Sequence, residues 1–300
     1  MATRAFPALL LLAALVGCGS ARSETSVVPA SETPAGVTKP AFPDRPAPGF
    51  TRLEGERTQG GWLRGIAPAG TVELRFDGRK LPLAPDGTFF AAFDRDATGP
   101  GVLVAQLADG RSVTESLSVS PREWRIEHVN VARRPGGATE AFMERRRPEL
   151  ARINAARSID HDVAGWRQQF IWPLKGRISG RFGSQRIYKG EPASYHSGID
   201  IATGTSGTPF VAPADGVVTL AAQTPFSLEG HLLIIDHGNG LNSAFLHCSK
   251  LAVREGDVVR QGQYIGNIGA TGRTTGPHLH WGLKWRDARL DPLLFTGPMN

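Results

Sequence analysis

The chain of 300 residues is 40% hydrophobic and 21% charged, an ordinary balance for a globular protein and a length that allows two modest domains. Its 36 glycines and 22 prolines favour strands and turns over long helices. The net charge of +6 is uneven: residues 121–190 hold 15 Lys/Arg against 7 Asp/Glu, and the remainder is slightly acidic. A basic middle suits either an anionic polymer or a solvated connector.

The N-terminus, MATRAFPALLLLAALVGCGSA, has one early Arg4 and then an apolar run from Ala8 to Val16. That run is too short for a permanent membrane span and predicts an export signal. It ends in Leu15-Val16-Gly17-Cys18, which resembles a bacterial lipobox. The resemblance implies a lipoprotein signal peptide over residues 1–17, removal of that signal, and a lipid anchor at Cys18. Ordinary cleavage after Ala21 is the alternative. The chain is expected to be exported to the cell envelope, lipid-anchored to a membrane and facing periplasm or cell wall. No other segment is expected to cross a membrane. The remaining cysteine, Cys248, leaves no pair for an internal disulfide in the body of the chain. It adjoins His247, but a buried apolar thiol fits its surroundings better than a nucleophile.

Residues 18–49, rich in Pro, Ala, Ser and Thr, predict a flexible tether. Residues 50–120 alternate short apolar runs with Asp-Gly and Pro-containing turns, which predicts a small β-sandwich-like domain. It holds no histidine and no cysteine, so spacing, docking or covering suits it better than chemistry. Residues 121–171 carry the basic stretch, with apolar residues at helical intervals and Pro148, and predict a helical linker of one or two short helices. Residues 172–300 return to strands and glycine turns. The fold class expected is therefore mainly β, with a C-terminal domain of strands and glycine turns behind the small β-domain and the linker.

Six of the eight histidines fall between His196 and His280. "TGPHLHWG" places His278 and His280 two apart, on one face of a strand at about 6–7 Å. "YHSGIDIA" offers His196 and Asp200, and "LNSAFLHCSK" offers His247. Imidazole and carboxylate are good zinc ligands, and a catalytic zinc takes three protein ligands with one position left open. On a flat strand His196 and Asp200 would stand about 13 Å apart, so they converge only if Gly198 bends the chain. With His280 as the third ligand, His247 and His278 are left over, and a hydrolytic site needs a base and a donor to the developing oxyanion. A set of satisfied or exposed histidines is the competing interpretation. His128, His161, His231 and His237 suit surface or structural roles.

The segments "HSGIDIA", "VAPADGVV", "IIDHGNGLNSAFLH" and "VVRQGQYIGNIGATGRTTGPHLHWG" together resemble the lysostaphin-type (LytM-like) zinc endopeptidases of peptidoglycan. The resemblance covers about two-fifths of the chain, residues 172–294, in order and without missing pieces. It implies one zinc held by His196, Asp200 and His280, with His247 and His278 as the catalytic histidines. The fold it implies is an antiparallel β-sheet groove, and the activity is hydrolysis of peptide stems or cross-links of bacterial cell wall through a metal-activated water. Cys248 stands where that family usually carries an apolar residue. An inactive, wall-binding relative is the rival; such relatives typically lose ligand positions, and all five are kept here. An exported chain has little access to nucleic acid, so no nucleic-acid partner is expected.

Overall fold

The computed structural model describes residues 49–132 and 139–299. The signal segment, Cys18 and the tether up to residue 48 lie outside the described residues. In chain order, the first strands are β1 (Thr51–Gly55), β2 (Trp62–Ile66), β3 (Thr71–Phe76), β4 (Arg79–Leu81), β5 (Thr88–Ala92), β6 (Gly101–Leu107) and β7 (Ser112–Leu117). They form two antiparallel sheets, ordered β1-β2-β5 and β4-β3-β6-β7. The tight β3–β4 connection is Asp77-Gly78, both at positive φ (48° and 76°), the backbone that a two-residue hairpin demands and that Asp-Gly accepts most readily. β6 alternates buried and half-buried residues along its length, and Leu63, Leu74, Phe89, Leu103 and Leu117 fill the core between the two sheets.

The basic stretch supplies β8 (Ile126–Val129) and the helix α1 (Glu140–Ser158). Thr139 caps α1 by accepting from the Phe142 amide at 3.2 Å, and the helix continues through Pro148 without a break. Ile153 and Ala156 are its buried apolar residues. Buried Arg146 forms a two-pronged ion pair with Glu229 at 2.7 Å on each nitrogen.

The remaining strands are β9 (Arg177–Gly180), β10 (Gln185–Tyr188), β11 (Glu191–Pro192), β12 (Ile199–Ala202), β13 (Pro209–Val211), β14 (Gly216–Ala221), β15 (His231–Asp236), β16 (Leu241–Cys248), β17 (Lys250–Leu251), β18 (Val258–Val259), β19 (Tyr264–Asn267), β20 (Leu279–Trp285) and β21 (Ala288–Leu290). A short helix, α2 (Leu293–Thr296), follows. The central sheet runs β18-β14-β15-β16-β20-β12-β9, with β21 paired to β20, and all its ladders are antiparallel. β8 joins a small separate sheet, β11-β10-β8, through a parallel pairing with β10. The mainly β class expected from the glycine-turn texture, and the antiparallel C-terminal sheet that the family resemblance implied, are the ones observed.

Strand alternation gives the central sheet two unlike faces. One carries Ile199, Ile201, Leu279, Trp281, Leu283, Trp285, Phe245 and Ile235, and it shares a single core with the small β-domain. Phe90 meets Trp285 edge-on at 6.0 Å and Trp62 stacked at 6.2 Å, and Trp62 Nε1 donates to Leu294 O at 2.9 Å. The described residues thus form one compact unit. The other face carries Leu220, Leu232, Ile234 and Ala244, which pack against Ile153 and Ala156 of α1.

His237 braces the first face. A carbonyl can only accept, so His237 Nδ1–H donates to Asp215 O at 2.7 Å, and Nε2 accepts from the Ser243 hydroxyl at 2.8 Å. Ser243 Oγ accepts in turn from Trp281 Nε1 at 3.2 Å. Full burial pushes the His237 imidazole down to about 4. The unfolded chain therefore takes up a proton at about pH 6.5 that the folded chain refuses until about pH 4. This stabilisation is complete above the unfolded value and is lost as pH falls through that window. We expect His237→Asn to reduce the acid sensitivity of stability between pH 7 and 4 by about 3 kcal/mol. Urea unfolding of both chains at the two pH values measures it, and an unchanged pH dependence would refute the assignment.

Candidate metal centre and active site

Asp200 lies directly opposite His280 in the β12–β20 ladder, so both side chains rise from neighbouring strands on the same face. His196 precedes β12 and reaches them over a bend rather than along a flat strand. The bend is enclosed by glycines. A Cβ at Gly198 would stand 2.8 Å from His280 Nε2, and a Cβ at Gly180 would collide with Asp200 Oδ2. The bend at Gly198 was legible in the sequence, whereas the need for Gly180 on β9 was not, because it arises only from strand pairing.

Three ligand atoms converge here. His196 Nε2 is 3.0 Å from Asp200 Oδ1, His280 Nδ1 is 2.9 Å from the same oxygen, and the two nitrogens are 3.1 Å apart. His196 Nδ1–H donates to Arg181 O at 3.1 Å, which leaves Nε2 of the neutral ring as the acceptor facing the cluster. Burial opposes the Asp200 charge, but the protons that His196 and His280 share with it when no cation is bound outweigh burial and hold the carboxyl well below the usual carboxylate range. Burial pushes the His280 imidazole down and so favours its neutral, ligand-competent form. Bonds of about 2.0–2.1 Å from a tetrahedral ion would set neighbouring ligand atoms roughly 3.3 Å apart, so this triangle fits a small divalent cation closely.

The other two histidines face the triangle from the end of β16 and the start of β20. His247 and His278 have ring centroids 5.0 Å apart, and His247 is 6.4 Å from His280. His278 Nε2 comes within 3.5 Å of Asp200 Oδ1. Each ring is oriented by a backbone carbonyl: His247 Nδ1–H donates to Thr271 O at 2.9 Å, and His278 Nδ1–H to Gly276 O at 2.8 Å. Nε2 of each ring is left to meet a reacting group. Burial is the main cause of a lowered His247 value, so this ring is held neutral. Its backbone has φ = 64°, uncommon for a residue with a side chain, and its amide is fixed by Glu229 O at 2.8 Å. All five residues singled out in the sequence therefore lie in one cluster.

The other candidates lie elsewhere. His231 Nδ1–H donates to Ala222 O at 3.0 Å, His161 pairs with Asp236 at 2.9 Å, and His128 sits on β8. Cys248 is buried, and burial pushes its thiol up to about 12, which makes it a poor nucleophile.

Residues 194–292, which include all five clustered residues, match the sequence profile described as Peptidase family M23. A stretch of 133 residues is 38% identical to the peptidoglycan DD-endopeptidase ShyA of Vibrio cholerae serotype O1, covering 44% of this chain and 30% of that one. Over 126 residues the chain is 38% identical to the DD-carboxypeptidase/endopeptidase Mpg of Neisseria meningitidis serogroup B, covering 41% of this chain and 27% of that one. The chain thus spans less than a third of the length of these relatives. A crystal structure from Pseudomonas aeruginosa, described as a peptidase M23, is similar over 81% of this chain and 96% of that one, with a TM-score of 0.61 and 28% identity.

The crowding around Asp200 generates a test that needs no substrate. Gly180→Ala should displace the carboxylate and weaken binding of a divalent metal by about tenfold or more, the order seen when a ligand's supports are disturbed. Competition with a chromogenic chelator reads the affinity. Parent-like affinity in a folded Gly180→Ala chain would show that the triangle does not hold the ion.

Proposed function

We propose that this chain, which carries a peptidase family M23 domain in residues 194–292, is a zinc-dependent endopeptidase that hydrolyses peptide stems or cross-links of bacterial peptidoglycan. The observation that carries this reading is the triangle of one carboxylate oxygen and two imidazole nitrogens with edges of 2.9, 3.0 and 3.1 Å, flanked by two oriented histidines. The names of the relatives, peptidoglycan DD-endopeptidase and DD-carboxypeptidase/endopeptidase, support the choice of substrate class.

His196, Asp200 and His280 would hold one zinc per chain. When bound, zinc supplies Lewis acidity, which polarises a peptide carbonyl and makes water a competent nucleophile near neutral pH. The rest of the chemistry belongs to His247 and His278. In its neutral form each ring presents an Nε2 lone pair, so either can take a proton from the attacking water. Once protonated, the same Nε2 becomes a donor without any movement of the ring, because Nδ1 stays tied to its carbonyl. One histidine thus serves as the base, and the other donates to the oxygen on which charge develops.

The functional reading extends to location. A lipid at Cys18 would tether the domain to a membrane and hold it against the wall. The parent chain should then partition with membranes, and Cys18→Ser should not undergo lipoprotein-type processing. Processing of that variant after Ala21, with release of a soluble form, would point to an ordinary secreted chain instead.

The two histidines of "PHLH" should differ in kind. His280→Ala is expected to empty the zinc site. His278→Ala and His247→Ala should each keep zinc and fold while losing about 10²–10⁴ in turnover. Elemental analysis, alongside cleavage of cross-linked muropeptides followed by mass spectrometry, compares the three chains. Loss of zinc from His278→Ala would make both histidines ligands, and full activity in that chain would remove it from the reaction.

A further inference from the structure

The sheet face that carries His280 continues beyond the metal cluster. Along β20 the residues on this face are His280, Gly282 and Lys284, and Arg289 on β21 stands opposite Lys284. The last turns of α1 lie above them. Between helix and sheet is a cavity of about 290 Å³, with His280 and Gly282 at one side and Arg157, Lys284 and Arg289 among its walls. Gly282 adds no side chain to the floor beside His280 Nε2, the ring nitrogen that points away from the triangle.

The charges around this cavity do not balance. Arg146, also in the wall, is neutralised by Glu229 and Glu149, and so Glu229 is already engaged. Arg157, Lys284 and Arg289 have no carboxylate within ion-pair distance among the described residues. Arg157 Nε is buried without a hydrogen-bond partner. The Arg289 guanidinium lies over the Tyr195 ring at 5.5 Å, a contact that brings no formal counter-charge. Burial, followed by repulsion from Arg289, pushes the Arg157 guanidinium down, and burial, followed by repulsion from Arg157, does the same to the Lys284 ammonium. Crowding three cations under a helix is unfavourable unless an anion completes the group.

We propose that this cavity is a carboxylate subsite, which holds a carboxyl group of the peptide substrate beside the scissile bond. The inference rests on the peptidase reading above. Peptides offer carboxylates of two kinds, a free C-terminus and a side-chain carboxyl, and both present the planar pair of oxygens that a guanidinium and an ammonium can share. The site selects for a charged substrate and against one whose carboxyl is amidated, because an amide would leave the cations unpaired.

The test uses the zinc-loaded His278→Ala chain, so that substrate is held with little turnover. A cross-linked stem-peptide dimer is titrated calorimetrically in three forms: all carboxyls free, C-terminal carboxyls amidated, and side-chain carboxyls amidated. At least one amidated form should bind about 10- to 100-fold more weakly than the free form, and the form that weakens identifies the source of the carboxylate. Introduced separately, Arg157→Gln and Lys284→Gln should each erase most of that difference. Both variants relieve repulsion and should melt no lower than the parent, which separates lost binding from lost fold. Equal affinity for all three peptides would overturn the proposal, as would undiminished discrimination in both variants. A parallel digest of the free dimer with the unmutated chain reports on the peptidase reading separately, since binding discrimination does not depend on cleavage.

Discussion

The site depends on one electrostatic conflict, in which a carboxylate oxygen and two imidazole nitrogens are held about 3 Å apart on a rigid sheet. Without a cation, only protons shared among the three groups can relieve the crowding of lone pairs, and a small divalent ion relieves it fully. The sheet makes the arrangement unavoidable. Asp200 and His280 are ladder partners, and the bend at Gly198 and the bare surface of Gly180 bring His196 to the same point. The precision comes from backbone hydrogen bonding, which is stiff, rather than from long flexible side chains.

That stiffness is secured from behind. The residues flanking His280 in β20, Leu279 and Trp281, are fully buried on the opposite face. Trp281 stacks on Phe245 at 6.4 Å and donates to Ser243, whose hydroxyl also meets His237. Further along the strand, Trp285 meets Phe90 and Phe76 of the small β-domain. The small domain brings no titratable group to the cluster. Its contribution is mechanical, because it buries the apolar side of the strand that carries His280 and directly follows His278.

Much of this was legible in the sequence because two-residue alternation is a short-range property. "PHLHWG" fixes which side chains share a face, and Asp-Gly and Asn-Gly pairs mark the hairpins. The motif resemblance gathered the five site residues, although spacing alone left the His196–Asp200 approach conditional on a bend. What the sequence did not disclose depends on distant partners. The parallel pairing of β8 with β10 links segments about sixty residues apart and leaves no local pattern. Pro148 suggested an interruption, yet α1 passes through it, since tertiary docking through Arg146, Ile153 and Ala156 outweighs one missing backbone bond. The cation group was invisible because Arg157, Lys284 and Arg289 come from three different elements, and each looks like an ordinary surface charge in the sequence.

The placement of α1 ties these observations together. The helix occupies the sheet face that carries the reactive histidines, and its strongest anchor is the Arg146–Glu229 pair. The carbonyl of Glu229 holds the amide of His247, whose left-handed backbone conformation needs such support to persist. Thr271, the residue whose carbonyl orients the His247 ring, also holds the His231 amide through its hydroxyl at 2.9 Å. One side of the reactive centre is therefore fixed by a loop that is itself fixed by the helix. Loss of α1 would be felt at His247 through two hydrogen-bonded steps, whereas the metal triangle, built wholly from the sheet and the bend before β12, has no contact in that chain of supports.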